Sequence, residues 1–130
     1  MKVQRLQLEN FKRFHRQTFD FRDRETGLAK DLIVLVGQNG SGKSSVLQAI
    51  AAVLGAATGR LSAPGELDWP GFDLALANKA WARPASVEIE VEFSPSEVEA
   101  TRALFARTEM GQDQDKTPPR EPRCQVALPV

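Results

Sequence analysis

The stretch Gly37-Gln38-Asn39-Gly40-Ser41-Gly42-Lys43-Ser44-Ser45 decides how the rest of the chain is read. Five apolar residues lead into it, 32–36 (LIVLV). An uninterrupted run of that length is what a strand buried on both faces of a parallel sheet requires. After the stretch, Val46, Leu47, Ile50, Val53 and Leu54 fall on one stripe at helical period. This predicts a helix over 43–54, with Gly55 placed to end it because glycine reaches positive φ without steric cost. The spacing Gly37-x-x-x-x-Gly42-Lys43-Ser44 matches the phosphate-binding P-loop in full. Its glycines let backbone N–H groups converge on phosphate oxygens with no Cβ in the way. Lys43 brings a positive charge to the β- and γ-phosphates, and the Ser44 hydroxyl is of the type that ligates Mg²⁺. The helix start adds unpaired N–H groups and the positive end of a dipole.

Outward from the loop, residues 2–8 (KVQRLQL) read as a strand, although Val3 is out of phase with Leu6 and Leu8. Residues 16–22 alternate, with Phe19 and Phe21 on one face, and 25–30 form a polar turn containing Gly27. Residues 55–84 are rich in Gly, Ala and Pro and predict a long excursion with a short helix near 72–81. Val87, Ile89, Val91 and Phe93 alternate with Glu88, Glu90 and Glu92, the pattern of a half-buried strand with a solvated glutamate face. Ser94-Pro95-Ser96-Glu97 starts a helix, with Ser94 as N-cap, Pro95 at N1 and Glu97 at N3, running to about Arg107. Residues 109–130 are polar and proline-containing and read as a flexible linker or tail, leaving 1–108 as the folded part.

Composition sets the outer bounds. The 130 residues suffice for one domain. No apolar run approaches the ~20 residues of a membrane span, and no signal-peptide core precedes Glu9, so a cytoplasmic protein without membrane contact is expected. The single cysteine, Cys124, excludes an internal disulfide. Net charge is zero, yet residues 1–24 carry seven basic groups against three acids, a local excess of +4 balanced by −4 in the remainder. A neutral total argues against strong non-specific DNA binding by this chain alone.

GQNGSGKSSVLQAI resembles the Walker A segment of ABC-type ATPase heads of the AAA family, and among those the SMC/RecF group. The opening MKVQRLQLENFKRFHRQTFDF resembles the same group, with Asn10-Phe11-Lys12-Arg13-Phe14 standing between its first two strands. The resemblance covers residues 1 to about 55, and 85–93 more loosely. It implies an α/β fold: the N-terminal lobe of a P-loop NTPase, with a central parallel strand, an antiparallel β-subdomain, and a sheet incomplete without a C-terminal half. It implies that Gly37, Gln38, Asn39, Gly40, Ser41, Gly42, Lys43, Ser44 and Ser45 hold ATP, with Ser44 on Mg²⁺. Lys12 or Arg13 would stand near the phosphates.

The same resemblance marks what 45–130 lacks: an apolar strand ending in Asp-Glu, a Ser-Gly-Gly signature, a glutamine loop and a switch histidine. The single histidine, His15, precedes the loop. Attack on a γ-phosphate needs a positioned water and charge stabilisation from several sides, so no catalytic set is complete here. Mg-ATP binding with little turnover alone is the expectation. A C-terminal ATPase half or a second head is the implied partner, and DNA a partner of the full-length protein, in repair, chromosome maintenance or phage defence. Without that half, residues 32–36 are expected to be an unpaired apolar edge. Two other readings stand beside this one: a small P-loop kinase, and a non-catalytic regulator that binds nucleotide or DNA.

Overall fold

The structure, a computed structural model, describes residues 1–72, 84–108 and 123–129. Four strands, β1 (Lys2–Phe11), β2 (Phe14–Asp20), β3 (Ser86–Glu92) and β4 (Arg123–Pro129), form one sheet in the order β2-β1-β3-β4. Every neighbouring pair is antiparallel. Helix α1 (Lys43–Ala57) comes after the glycine-rich loop, and α2 (Pro95–Thr108) after β3. A short 3₁₀ turn, Pro64–Glu66, lies between α1 and β3.

The core sits between one face of the sheet and α1. Leu6 and Leu8 from β1 and Val87, Ile89 and Val91 from β3 are buried against Val46, Ala49 and Val53 of α1, closed at the ends by Phe11 and Phe21. The phase problem in β1 has a structural cause. Its register against β3 shifts between Val3 and Arg5, so Gln4 is the bulged residue and is fully buried with Leu6 and Leu8. Gln4 Nε2 donates to Glu92 Oε2 at 2.7 Å, and its Oε1 has no partner among the described residues. β3 matches its alternation: Val87, Ile89 and Val91 are buried, while the intervening glutamates are half-buried. The start of α2 is a reciprocal capping box. Glu97 N–H donates to Ser94 Oγ at 3.3 Å, and Ser94 N–H donates to Glu97 Oε2 at 2.8 Å. Met1's terminal ammonium pairs with the other oxygen of Glu97.

Four expectations are corrected. Residues 32–36 do not form a strand, and the described sheet contains no parallel pair. Leu32, Val34 and Val36 are 78%, 70% and 90% exposed, and of the five only Leu35 packs against the core. The sequence supplies the apolar surface of a central strand, but a strand exists only as a ladder. Among the described residues none pairs with this one. Second, α1 does not stop at Gly55. It runs to Ala57, with Thr58 as C-cap and Gly59 at φ 70° behind it. Gly55 serves a close approach instead: a Cβ there would lie 2.6 Å from Leu61 Cδ1. Third, the buried stripe of α1 is Val46, Gln48, Ala49, Ala52 and Val53, while Leu47 is exposed and Ile50 and Leu54 are half-buried. Leu47 and Ile50 instead line, with Val3, Phe21, Leu35 and Val46, a cavity of about 310 Å³ beside the 32–36 run. Fourth, 123–129, read as part of a tail, forms β4 on the β3 edge. The short helix expected near 72–81 and most of the expected linker lie outside the described residues.

Candidate phosphate-loop site

The loop between the exposed run and α1 is shaped by its glycines. Gly40 and Gly42 take φ of 78° and 97°, in the left-handed region that side chains disfavour. Gly42 is the N-cap of α1, with no side-chain cap and no acidic residue in the first turn. The helix's first N–H groups have no intrahelical acceptor by construction, and its positive end is left without a neutralising carboxylate. Gly37, Gln38, Asn39, Gly40 and Ser41 are exposed, as is Ser44 in the first turn; Lys43 and Ser45 are half-buried. Lys43 folds back over the loop. Its Nζ donates to Gly37 O at 2.7 Å and Gln38 O at 2.8 Å, and lies 3.5 Å from Ser41 Oγ. The ammonium is thus held at the loop's own centre. A cation, a glycine-rich turn and an uncapped helix start converge within nine residues, which is the arrangement a phosphate chain takes.

The β1–β2 turn closes one side. At Gly42 an added Cβ would lie 2.6 Å from Phe14 Cζ and 2.9 Å from Arg13 Cδ. Glycine at 42 is therefore favoured by its φ, and a side chain there would also have to displace the tips of Phe14 and Arg13. Phe14 is braced by an edge-on contact with Phe19 at 5.9 Å, and Phe19 in turn stacks on Phe21 at 6.2 Å. Of the two basic residues weighed from sequence, the structure brings Arg13 to the loop. Lys12 points elsewhere: its Nζ donates to Gln48 Oε1 on α1 and to Gly71 O at 2.9 Å, and sits 5.3 Å from the centre of the Phe72 ring. His15 pairs with Asn10, Nδ1 to Oδ1 at 3.1 Å. Among the described residues no cluster of His, Cys, Asp and Glu suits a metal ion, and the glutamate row of β3 forms none.

Two residues that matter to this geometry escape a reading of the sequence. Phe14 looks like one more aromatic of the β1–β2 region. Gln48 looks like a gap in an apolar stripe, yet it is 2% exposed, with Nε2 donating to Pro70 O at 3.2 Å. Its signal is its isolation, as the one polar residue in the stretch 46–57 (VLQAIAAVLGAA).

The family model described as an AAA domain matches residues 5–118, most of the chain. Structural maintenance of chromosomes protein 1 of Arabidopsis thaliana is 40% identical over 60 residues, a match covering 46% of this chain and 4% of that protein. The chain thus spans a small part of the length of that relative. No helix among the described residues is long and apolar enough to cross a membrane. With the family model covering most of its length, the chain belongs to the AAA domain family.

Proposed function

We propose that residues 37–45 bind Mg-ATP as one half of an SMC/RecF-like ATPase site. The observation that carries the reading is the uncapped start of α1 at Gly42, with Lys43 folded over the loop and Arg13 laid against it. The residues present fit the nucleotide. The backbone N–H groups at the start of α1 would meet a phosphate chain, while the Ser41 N–H holds the loop by donating to Gln38 O, and Lys43 exchanges two carbonyl acceptors for phosphate oxygens, a stronger charge-assisted pairing. Arg13 adds a second cation from the β1–β2 turn, while the neighbouring Lys12 meets Gln48 and Gly71 O on the flank of α1. Ser44 is the residue that would hold Mg²⁺, which when bound neutralises phosphate charge.

Hydrolysis in this reading needs groups from elsewhere: an acidic pair after an apolar strand, and a signature segment from a second head. The exposed 32–36 run is where a C-terminal ATPase half adds its strand. Each such side chain gains about 1.5–3 kcal/mol when fully buried. Residues 1–108 together with β4 act as the nucleotide-binding lobe, and DNA repair, chromosome maintenance or phage defence is the setting of the whole protein. The test is equilibrium binding of Mg-ATP to the chain beside Lys43→Ala. Saturable binding that the substitution weakens at least ten-fold is expected, with no turnover above background. Binding indifferent to Lys43 would sink the proposal.

A further inference from the structure

Asn39 and Gly40 form the corner of a turn in the phosphate loop, and both are exposed. The turn is closed by a backbone hydrogen bond from Ser41 N–H to Gln38 O at 3.1 Å. Gly40 has a φ of 78°, and a Cβ built on it would meet nothing within 4 Å, so no side chain shields its nitrogen. Among the described residues, neither the Asn39 carboxamide nor the Gly40 N–H has a hydrogen-bond partner. Asn10 is the contrast within the same chain. It lies inside β1, before the buried Phe11. Its carboxamide is engaged, with Oδ1 3.1 Å from His15 Nδ1 and Nδ2 3.5 Å from Pro84 O.

We propose that Asn39 is a site of spontaneous deamidation, which disables the empty phosphate loop and which bound nucleotide slows. Asparagine is among the thermally labile residues. The Gly40 nitrogen attacks the side-chain carbonyl carbon of Asn39, closing a five-membered succinimide and expelling ammonia. Water then opens the ring. Breaking the bond from the ring nitrogen to the side-chain carbonyl gives aspartate, and breaking the bond to the main-chain carbonyl gives isoaspartate. The net change is carboxamide plus water to carboxylate plus ammonium, so no oxidant or reductant takes part. The attack needs Asn39 to rotate toward Gly40. Among the described residues, the Ser41-to-Gln38 bond is what holds the turn against that rotation.

Either product damages the loop. Aspartate places a negative charge next to Gln38, whose carbonyl accepts from the Lys43 ammonium at 2.8 Å, where phosphate is to bind. Isoaspartate also adds a methylene to the main chain, which breaks the spacing between Gly37 and Gly42. The protection rests on the nucleotide reading of the loop: phosphates drawn to Lys43 and the start of α1 pin the turn closed. The deamidation itself is a property of the free chain.

The experiment ages the purified chain in mildly alkaline buffer, with and without saturating Mg-ATP, and follows the tryptic peptides carrying Asn39 and Asn10 by mass spectrometry. Without nucleotide, the Asn39 peptide is expected to gain about one dalton at least ten-fold faster than the Asn10 peptide. Mg-ATP is expected to slow that gain roughly three-fold or more. Asn39→Gln, which would have to close a six-membered ring, is expected to keep its mass. Modified and parent chains are then separated by charge, and the modified chain is expected to bind Mg-ATP about ten-fold more weakly or worse. Equal rates at Asn39 and Asn10 would overturn the proposal, as would unchanged affinity in the modified chain. A rate at Asn39 that Mg-ATP leaves unmoved, in a chain shown to bind it, would overturn the protection. Should the parent bind no Mg-ATP, the protection falls with the reading of the loop, while the rate at Asn39 against Asn10 still decides the site.

Discussion

β3 and the 32–36 run both read as apolar strands in the sequence, and they meet opposite fates. β3 alternates, VEIEVE, and has a hydrogen-bonded neighbour on each edge; its three apolar residues are 0–1% exposed. The run is apolar at every position, has no ladder partner among the described residues, and exposes most of its surface. Hydrophobicity alone does not bury a strand. Backbone groups that leave water must find partners, and β3 finds them in β1 and β4. The run touches the core only through Leu35, beside a cavity that Leu47 and Ile50 also line. It is thus a strand by composition and a surface by circumstance.

The sharpest way to break that comparison is to truncate one residue in each segment. Ile89→Ala empties a fully buried site and is expected to cost about 2–5 kcal/mol, as such core truncations do. Val34→Ser, at a 70% exposed position, is expected to change stability by less than about 0.5 kcal/mol. The same substitution should lower self-association, because it breaks up an exposed apolar stretch. Denaturant titration measures the first pair of values and sedimentation the second. A large loss in Val34→Ser would mean that the run is already paired in solution.

Next in size comes the junction where the exposed run hands over to the buried helix. Gly42→Ala forces a side-chain-bearing residue to φ of 97°, a left-handed conformation that costs about 1–2 kcal/mol. It also drives a methyl group onto Phe14 and Arg13. Adding Phe14→Ala makes room for the methyl but leaves the φ cost in place. The two substitutions together are therefore expected to destabilise less than the sum of each alone, by melting measurements on all four proteins. Strict additivity would mean that the turn does not rest on the loop.

The parts of this architecture that the sequence disclosed are those whose physics is local. The capping box of α2 is complete within Ser94 and Glu97, and β3's period-two pattern needs no knowledge of its neighbours. The glycine spacing of 37–42 likewise carries its own steric reason. What stayed hidden depends on contacts far along the chain. Gly55 looks like a helix stop until Leu61 is seen above it. Nothing in RCQVALP (123–129) marks a strand; it becomes one by pairing with β3, with Pro129 at its end, where an edge strand tolerates the missing N–H. Gln48 reads as an interruption until Lys12 and Pro70 arrive from either side of it in sequence. The candidate loop follows the same rule: its glycine spacing is legible in the sequence, whereas the contact of Phe14 with Gly42 and those of Gln48 with Lys12 and Pro70 are not.

The smallest effect tests how firmly β3 anchors the helix on its C-terminal side. Glu97 closes the capping box two residues into α2. The pairing with Met1's ammonium, then the hydrogen bonds from Ser94, lower its carboxyl from the usual 4.5 to about 2. A carboxylate depressed in the folded state stabilises fully above its unfolded value and loses that contribution as pH falls through the folded one. The cap should hold at pH 5 and weaken steadily from about pH 4.5 to 2, with α2's first turn exchanging its amides faster than β3 throughout. Glu97→Gln removes the titrating group, so the early-turn amides of that variant should lack this part of the acid response. If β3 loses protection in step with α2 in the parent, strand and helix open as one unit, and the strand's security rests on the cap as well as on its two neighbours. If β3 stays protected while α2 frays, its burial between β1 and β4 is sufficient, and the contrast with the unpaired run comes down to the ladder alone.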